Sequence, residues 1–294
     1  MSDSGSGDIV IRPLTSQEDF RRCVGLQYEI WGEGFGEAVP PSLLLATQKV
    51  GGVAVGAFDA RGELLGFVFG ISGLRDGRPA HWSDMLAVRE GARGSGLGIR
   101  LKAYQRQRLL ELGIDLAYWS YDPLEARNAH INMNRLGARP TEYVRDMYGD
   151  VTGSSLHTGL GTDRFVVEWE LRDPRVESVL AGRPPPAPGS LEDAPIVNAA
   201  MESDGDIVPV ERELPDHARV RVAIPHDIQR VKAESVDRAR SWRSSTRRAL
   251  LHYLDRGYGV RSFLARSPSS HPAYLLERGQ VGARTGAEAK AGKP

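Results

Sequence analysis

The stretch Ala87-Val88-Arg89-Glu90-Gly91-Ala92-Arg93-Gly94-Ser95-Gly96-Leu97-Gly98 constrains this chain more than any other. An apolar run ends at Val88, glycines follow at alternate positions, and a helix-like segment begins at once. Glycine here costs backbone entropy and packs nothing, so its use is either a tight turn or close approach to the backbone. The first amides of a helix have no internal partner and carry the positive end of its dipole. An anion can rest on the bare amides of Gly94, Ser95, Gly96, Leu97 and Gly98, with Arg93 adding positive charge. The helix adds Arg100, Lys102, Arg106 and Arg108, mostly off an apolar stripe of Leu97, Leu101, Tyr104 and Leu112. The competing reading is a glycine turn with no ligand.

Two familiar phosphate loops fail. A Walker loop needs Lys-Ser/Thr after its last glycine, and Ile99-Arg100 stands there. A dinucleotide fingerprint needs Gly-x-Gly-x-x-Gly on the first strand of a βαβ unit. Here the spacing is Gly94-x-Gly96-x-Gly98, and several strands precede it.

Those strands come from the periodicity. Residues 8–15 alternate, and Ser16 caps a helix with Glu18 and Asp19 in its first turn. A short helix follows the glycine-rich residues 32–40. Two β-rich runs then flank a turn at Asp59-Ala60-Arg61-Gly62, a hairpin signal. Residues 80–88 form another strand. The glycine-loop helix stops at Gly113, and residues 115–124 form a strand stopped by Pro123. A short helix over 125–137 and two strands, 140–149 and 162–171, complete the order β-α-α-β-β-β-α-β-α-β-β. This order predicts an α/β (α+β) fold with a mixed, mostly antiparallel sheet and helices on both faces.

Beyond Leu171 the composition shifts. The expected division is a disordered lead over 1–8, a domain over 9–172, a Pro-rich linker over 173–190, a small α/β C-terminal extension over 191–278 and a disordered tail over 279–294. In the extension, "PIVNA" and "DIVPV" are β-like and "RVRVAIP" alternates. One or two helices span 226–256, with Ile228, Val231, Val236, Ala239, Trp242, Leu250 and Tyr253 as their buried set, and two strands follow.

Charge excludes little by itself. Acids and bases balance at 38 each over 294 residues. Residues 219–266 nevertheless hold 12 Lys/Arg against 4 Asp/Glu, so nucleic-acid binding through basic C-terminal helices is a reading, though no recognised motif supports it. The single cysteine, Cys23, allows no internal disulfide and suits a reducing, cytoplasmic setting as a packed thiol. No apolar run long enough to span a membrane occurs, the N-terminus lacks signal-peptide character, and the histidines show no metal-ligand spacing.

Arg93-Gly94-Ser95-Gly96-Leu97-Gly98 resembles the Arg/Gln-x-x-Gly-x-Gly/Ala motif of the GNAT (Gcn5-related) N-acyltransferases. It stands where that family carries it, after the fourth strand and at the start of the third helix. "SDMLAV", "LKAYQR", "YDPLEARNAHINMNRLGA", "TDRFVVEWEL" and "WRSSTRRALLHYLDRGYGVRSF" are similar to a little-characterised subgroup of predicted acyltransferases with a C-terminal extension. The resemblance implies an acyl-CoA-dependent N-acyltransferase that uses acetyl-CoA or another acyl-CoA and no metal. Its pyrophosphate would lie on residues 93–98 and its pantetheine arm along backbone at Leu86 and Val88, with Asn128 as a cofactor-side polar contact. A small-molecule amine, such as an amino acid, is the implied acceptor, and a homodimer is a common state of the family.

Direct transfer needs a neutral amine near the thioester carbon, a donor for the oxyanion and an outlet for the thiolate. Asp84 is the favoured base, then His81; Glu29, Glu33 and Glu37 lie near the expected acceptor loop. Many family members carry a tyrosine as acid where this chain has Met133, so Tyr148 is chosen, with Tyr121 as an alternative. The missing tyrosine also admits a CoA-binding or sensing protein without catalysis.

Overall fold

The computed structural model describes residues 9–149, 159–183, 188–201, 207–265, 271–279 and 284–285. The expected disordered lead, and nearly all of the expected tail, lie outside these residues. Two compact units share the described chain. The first holds 9–119 and 170–173, and the second holds the rest.

In the first unit β1 (Val10–Pro13) leads to α1 (Gln17–Trp31), α2 (Pro41–Lys49), β2 (Val53–Phe58), β3 (Leu64–Arg75) and β4 (Arg78–Val88). A 3₁₀ turn (Glu90–Ala92), α3 (Leu97–Glu111) and β5 (Leu116–Tyr121) follow, with the last residues of β5 passing into the second unit. The strand order here is β1-β2-β3-β4-β5. Pairing is antiparallel as far as β4, and β5 joins β4 in parallel.

Local chemistry explains the elements. The Ser16 side chain accepts from the Asp19 amide and Asp19 returns to the cap, a complete capping box. The Asp19 carboxylate also binds the Arg12 guanidinium at 2.7 and 2.9 Å, which holds its pKa well below the usual range. Leu14, Phe20, Cys23, Leu26, Phe67, Phe69, Met85 and Ala87 form one buried cluster that joins α1 to β3 and β4. Full burial of each such large side chain is worth roughly 1.5–3 kcal/mol. Cys23 is a packed thiol, and burial pushes its pKa up to about 12. On the other face of β4, α3 buries Leu97, Leu101 and Leu109. Helices therefore cover both faces of β4.

In the second unit α4 (Ala126–Ala129) widens into a π-helical turn (His130–Arg135) before β6 (Arg139–Val144) and β7 (Arg164–Glu170), which pair antiparallel. Then come α5 (Pro174–Leu180) and two short paired strands, β8 (Ala199–Met201) and β9 (Ile207–Pro209). The strands β10 (Arg219–Ala223), β11 (Tyr258–Leu264) and β12 (Ala273–Arg278) form a three-stranded antiparallel sheet in the order β10-β12-β11. Between β10 and β11 lie α6 (Ile228–Glu234) and α7 (Val236–Leu254). Ser235, in extended geometry, ends α6 and caps α7 by accepting from the Arg238 amide, so residues 226–256 form two helices. In the expected buried set, Val236 is exposed, while Arg243 is buried. Arg243 donates to Asp122 at 2.5 Å, and Arg247 binds Asp163 and Asp146. Part of the basic surplus of 219–266 is thus committed to ion pairs inside this unit. The whole is a mixed α/β fold whose strands pair mostly antiparallel.

Candidate functional site

The candidate site begins at a bulge. β3 and β4 keep one register from Gly66↔Val88 to Phe69↔Met85 and another from Ile71↔Trp82 onward. Ser83 and Asp84 therefore stand opposite the single residue Gly70. A bulge of this kind re-aims side chains. His81, before it, and Ser83, within it, meet α3 through Gln105 and Lys102. After it, Leu86 and Val88 face α3, where they lie nearest to Gly98. Gly70 is required here, because a Cβ would strike His81 Nε2 and the Trp82 carbonyl.

The bulge also decides which backbone groups are free. The Arg89 amide donates to the Leu65 carbonyl at 2.8 Å, which fixes the phase of the antiparallel ladder. In that phase Ala87 and Met85 exchange bonds with β3, and Leu86 and Val88 turn their N–H and C=O groups to the opposite edge. Along that edge β4 pairs with β5 only at His81↔Ala117 and Trp82↔Tyr118 among the described residues. The edge at Leu86 and Val88 is not laddered to β5.

At its end stands the glycine loop. Gly94 and Gly96 have φ of 84° and 79°, the left-handed region that glycine enters without penalty, and a Cβ at either would meet open space. The first helical bonds run from Ile99 and Arg100 to the Gly96 carbonyl. Among the described residues no backbone carbonyl accepts from the amides of Gly94, Ser95, Gly96, Leu97 or Gly98. Arg93 is exposed, and its Nε donates to the Val88 carbonyl at 3.1 Å. That carbonyl is thus already engaged, which leaves the Val88 amide and the Leu86 groups on the edge. Ser95 Oγ donates to the Ala92 carbonyl at 2.7 Å and tightens the loop.

Asp84 sits in the bulge. Its side chain reaches solvent, yet the surrounding protein raises its pKa, and a hydrogen bond from the Trp82 side chain offsets this only in part. His81, the second base candidate, is taken out of that role. It is 0% exposed, and burial and the neighbouring Lys102 pull its pKa down to about 3. Its Nδ1 lies 2.9 Å from Ser72 Oγ, which itself donates to the Gly51 carbonyl, so Nδ1 must carry the proton. Its Nε2 then accepts from Gln105 Nε2 at 3.0 Å. Sequence reasoning missed this buried chain because Lys102 reads as one of the basic residues off the helix's apolar stripe.

Of the other candidates, Glu29 pairs with Arg89, and Glu33 and Glu37 are exposed. Asn128 and Tyr148 belong to the second unit. Asn128 is exposed on α4. Tyr148 is 38% exposed, its hydroxyl 2.8 Å from Ser120 Oγ. Tyr121 and Met133 are buried. Among the described residues no helix is long and apolar enough to cross a membrane, and no group of three His, Cys, Asp or Glu side chains could hold a metal.

No family model matches the chain, and no curated protein matches it either. Solved structures do resemble part of it. An N-acetyltransferase from Staphylococcus aureus Mu50 matches at 13% identity and TM-score 0.45, over 56% of this chain and 100% of that one. The ribosomal-protein-S18-alanine N-acetyltransferase of Escherichia coli matches at 14% and 0.42, over 56% and 94%. An aminoglycoside 6′-N-acetyltransferase solved with coenzyme A matches at 14% and 0.42, over 55% and 97%. At such distances the chemistry has to be read from this chain's own residues.

Proposed function

We propose that this chain is an acyl-CoA-dependent N-acyltransferase of the GNAT kind. One observation carries the reading: a row of amides with no backbone acceptor, over residues 94–98, opens α3 directly beside the unladdered edge of β4. The first feature suits a pyrophosphate, which gains the helix dipole and bare N–H donors. The second suits an amide-bearing arm, which can bond to Leu86 and Val88 as an added strand would. Acyl-CoA carries both groups in that order.

In the transfer step the neutral acceptor amine attacks the thioester carbon, and an N–C bond replaces the C–S bond. A β4 amide near the bulge would hold the oxyanion. Asp84, with its raised pKa, is the base that takes the amine proton, directly or through water. The thiolate, whose thiol has an ordinary pKa of about 8.5, can leave without an acid. Tyr148 keeps a surface hydroxyl as a candidate donor, and Asn128 is a candidate cofactor contact. A small-molecule amine is the proposed acceptor and the cytoplasm the proposed setting. Buried Met133, where family members carry the acid, favours one second reading: a CoA-binding protein without turnover.

Calorimetric titration with CoA and acetyl-CoA tests the reading, beside Gly96→Glu and Gly96→Ala. Both variants strain a left-handed residue, but only Glu places a carboxylate among the loop amides. Wild type and Gly96→Ala should bind and Gly96→Glu should not. No binding by wild type at millimolar ligand would sink the proposal. Binding without thiol release across an amine screen would favour the second reading.

A further inference from the structure

A buried amine closes the inner end of the β4 edge. The β4–β5 ladder stops at Trp82↔Tyr118, and the next residues along the two strands are Ser83 and Trp119. Lys102 of α3 reaches both. Its Nζ donates to Ser83 Oγ at 2.9 Å and lies 3.7 Å from the Trp119 ring centroid. It also donates to Gln105 Oε1 at 3.0 Å, and Ser83 Oγ donates to the same oxygen at 3.1 Å. The donors run one way, from Lys102 to Ser83, Gln105, His81, Ser72 and the Gly51 carbonyl.

The amine is therefore fixed, not a loose tip. Lys102 is 3% exposed, and its burial depresses its pKa. It stands four residues beyond Gly98, about 6 Å further along the helix that carries the glycine loop. A ligand whose phosphates rest on residues 94–98, and whose arm follows β4 inward from Val88, runs toward this amine.

We propose that Lys102 is a specificity-determining residue for the acyl donor: its anchored amine closes the β4 edge and restricts the donor to short acyl groups. The inference rests on the acyl-CoA reading above. A two-carbon acyl group stops short of the amine. A longer aliphatic chain has to push Nζ off Ser83, Gln105 and the Trp119 ring, and it offers a buried polar group nothing in return. The cost falls on acyl length and leaves the CoA moiety alone.

The test is calorimetric titration of the full chain with CoA, acetyl-CoA, butyryl-CoA and hexanoyl-CoA, for wild type, Lys102→Ala and Lys102→Met. Wild type should bind acetyl-CoA about tenfold or more tightly than hexanoyl-CoA, the scale of a pocket that discriminates by methylenes. Lys102→Ala should erase or invert that ratio while affinity for free CoA holds. Lys102→Met fills similar space without hydrogen bonds, so it should lose part of the ratio, and it serves if the alanine variant does not fold. A merely structural lysine would weaken all the ligands together and leave the ratio alone. An unchanged ratio in a folded variant, or equal binding of all acyl lengths by wild type, overturns this inference and spares the acyl-CoA reading. Failure of wild type to bind any CoA species overturns both.

Discussion

Arg93 Nε donates to the Val88 carbonyl at 3.1 Å, so the residue that opens the glycine loop is tied to the last residue of β4. The bond joins the two proposed halves of the donor site, the loop amides and the strand edge. Arg93 is exposed, so its loss should barely touch stability, in keeping with surface contacts worth about 0–1 kcal/mol. We expect Arg93→Ala to weaken CoA binding about fivefold. Arg93→Gln, with a hydrogen-bonding end but no charge, should recover part of this and show a shallower salt dependence. Titrations at two ionic strengths check both, and full affinity in Arg93→Ala would count against the coupling.

Asp84 should matter to turnover and not to donor binding. Asp84→Asn keeps the size and loses the base, so kcat should fall by about 10²–10⁴-fold with the CoA Kd nearly unchanged. The raised pKa adds a pH signature. The base form is the ionised one, so the rate should climb with pH through a midpoint above the usual carboxylate value. Thiol-release rates across pH, with an amine chosen by screening, would show it. A tenfold loss of CoA affinity in Asp84→Asn would move this residue from chemistry to binding.

His81 predicts acid sensitivity in an unusual window. Its folded pKa of about 3 lies below the unfolded value near 6.5. As pH falls below about 6.5 the unfolded chain takes up a proton that the folded chain refuses, and stability drops toward about 1.4 kcal/mol per pH unit. Asp19 acts lower: its folded pKa is depressed, so its contribution is present above the usual carboxylate range and fades only as pH falls through and below it. Between pH 7 and pH 5 the lowered pKa values of His130 and His252 act in the same direction, so the His81 share is the difference in urea-unfolding slope between wild type and His81→Gln. The slope should flatten in His81→Gln, and an equal slope in both proteins would refute the assignment.

The second unit should depend on its buried ion pair. Arg243 is buried, donates to Asp122 at 2.5 Å and also to the Leu160 carbonyl at 3.0 Å. Asp122 also lies 3.7 Å from Arg164, so Arg243→Met removes the nearer of its two cations and should cost about 3 kcal/mol, the low end for breaking a buried pair. Joint replacement with Asp122→Leu should cost less than the sum of the two single changes, because either one alone already breaks the Arg243–Asp122 bond. Chemical denaturation of wild type, both single variants and the double variant measures the coupling, and additive losses would argue against it.

Much of this was open to reading along the chain. The Ser16 cap, the hairpin at residues 59–62 and the glycine loop are local patterns, and each appears where the sequence points. The family resemblance points to Leu86 and Val88, and the ladder phase is what leaves their backbone groups on the free edge. The burial of His81 and Lys102 is hidden along the chain for one reason. Both are polar, and nothing local says whether a polar residue faces water or a buried partner far along the chain. Arg243 repeats the case, since its partner Asp122 lies 121 positions away.

The sequence by itself determined the order of strands and helices up to Leu171 and that a side-chain-free turn opens α3, because caps, glycines and apolar periods act over a few residues. Only the tertiary structure decided that β4 bulges at Ser83 and Asp84, that its ladder with β5 ends at Trp82, and that an amine from α3 stands at that end. Those are matters of register and burial, set by contacts between segments that no local pattern encodes.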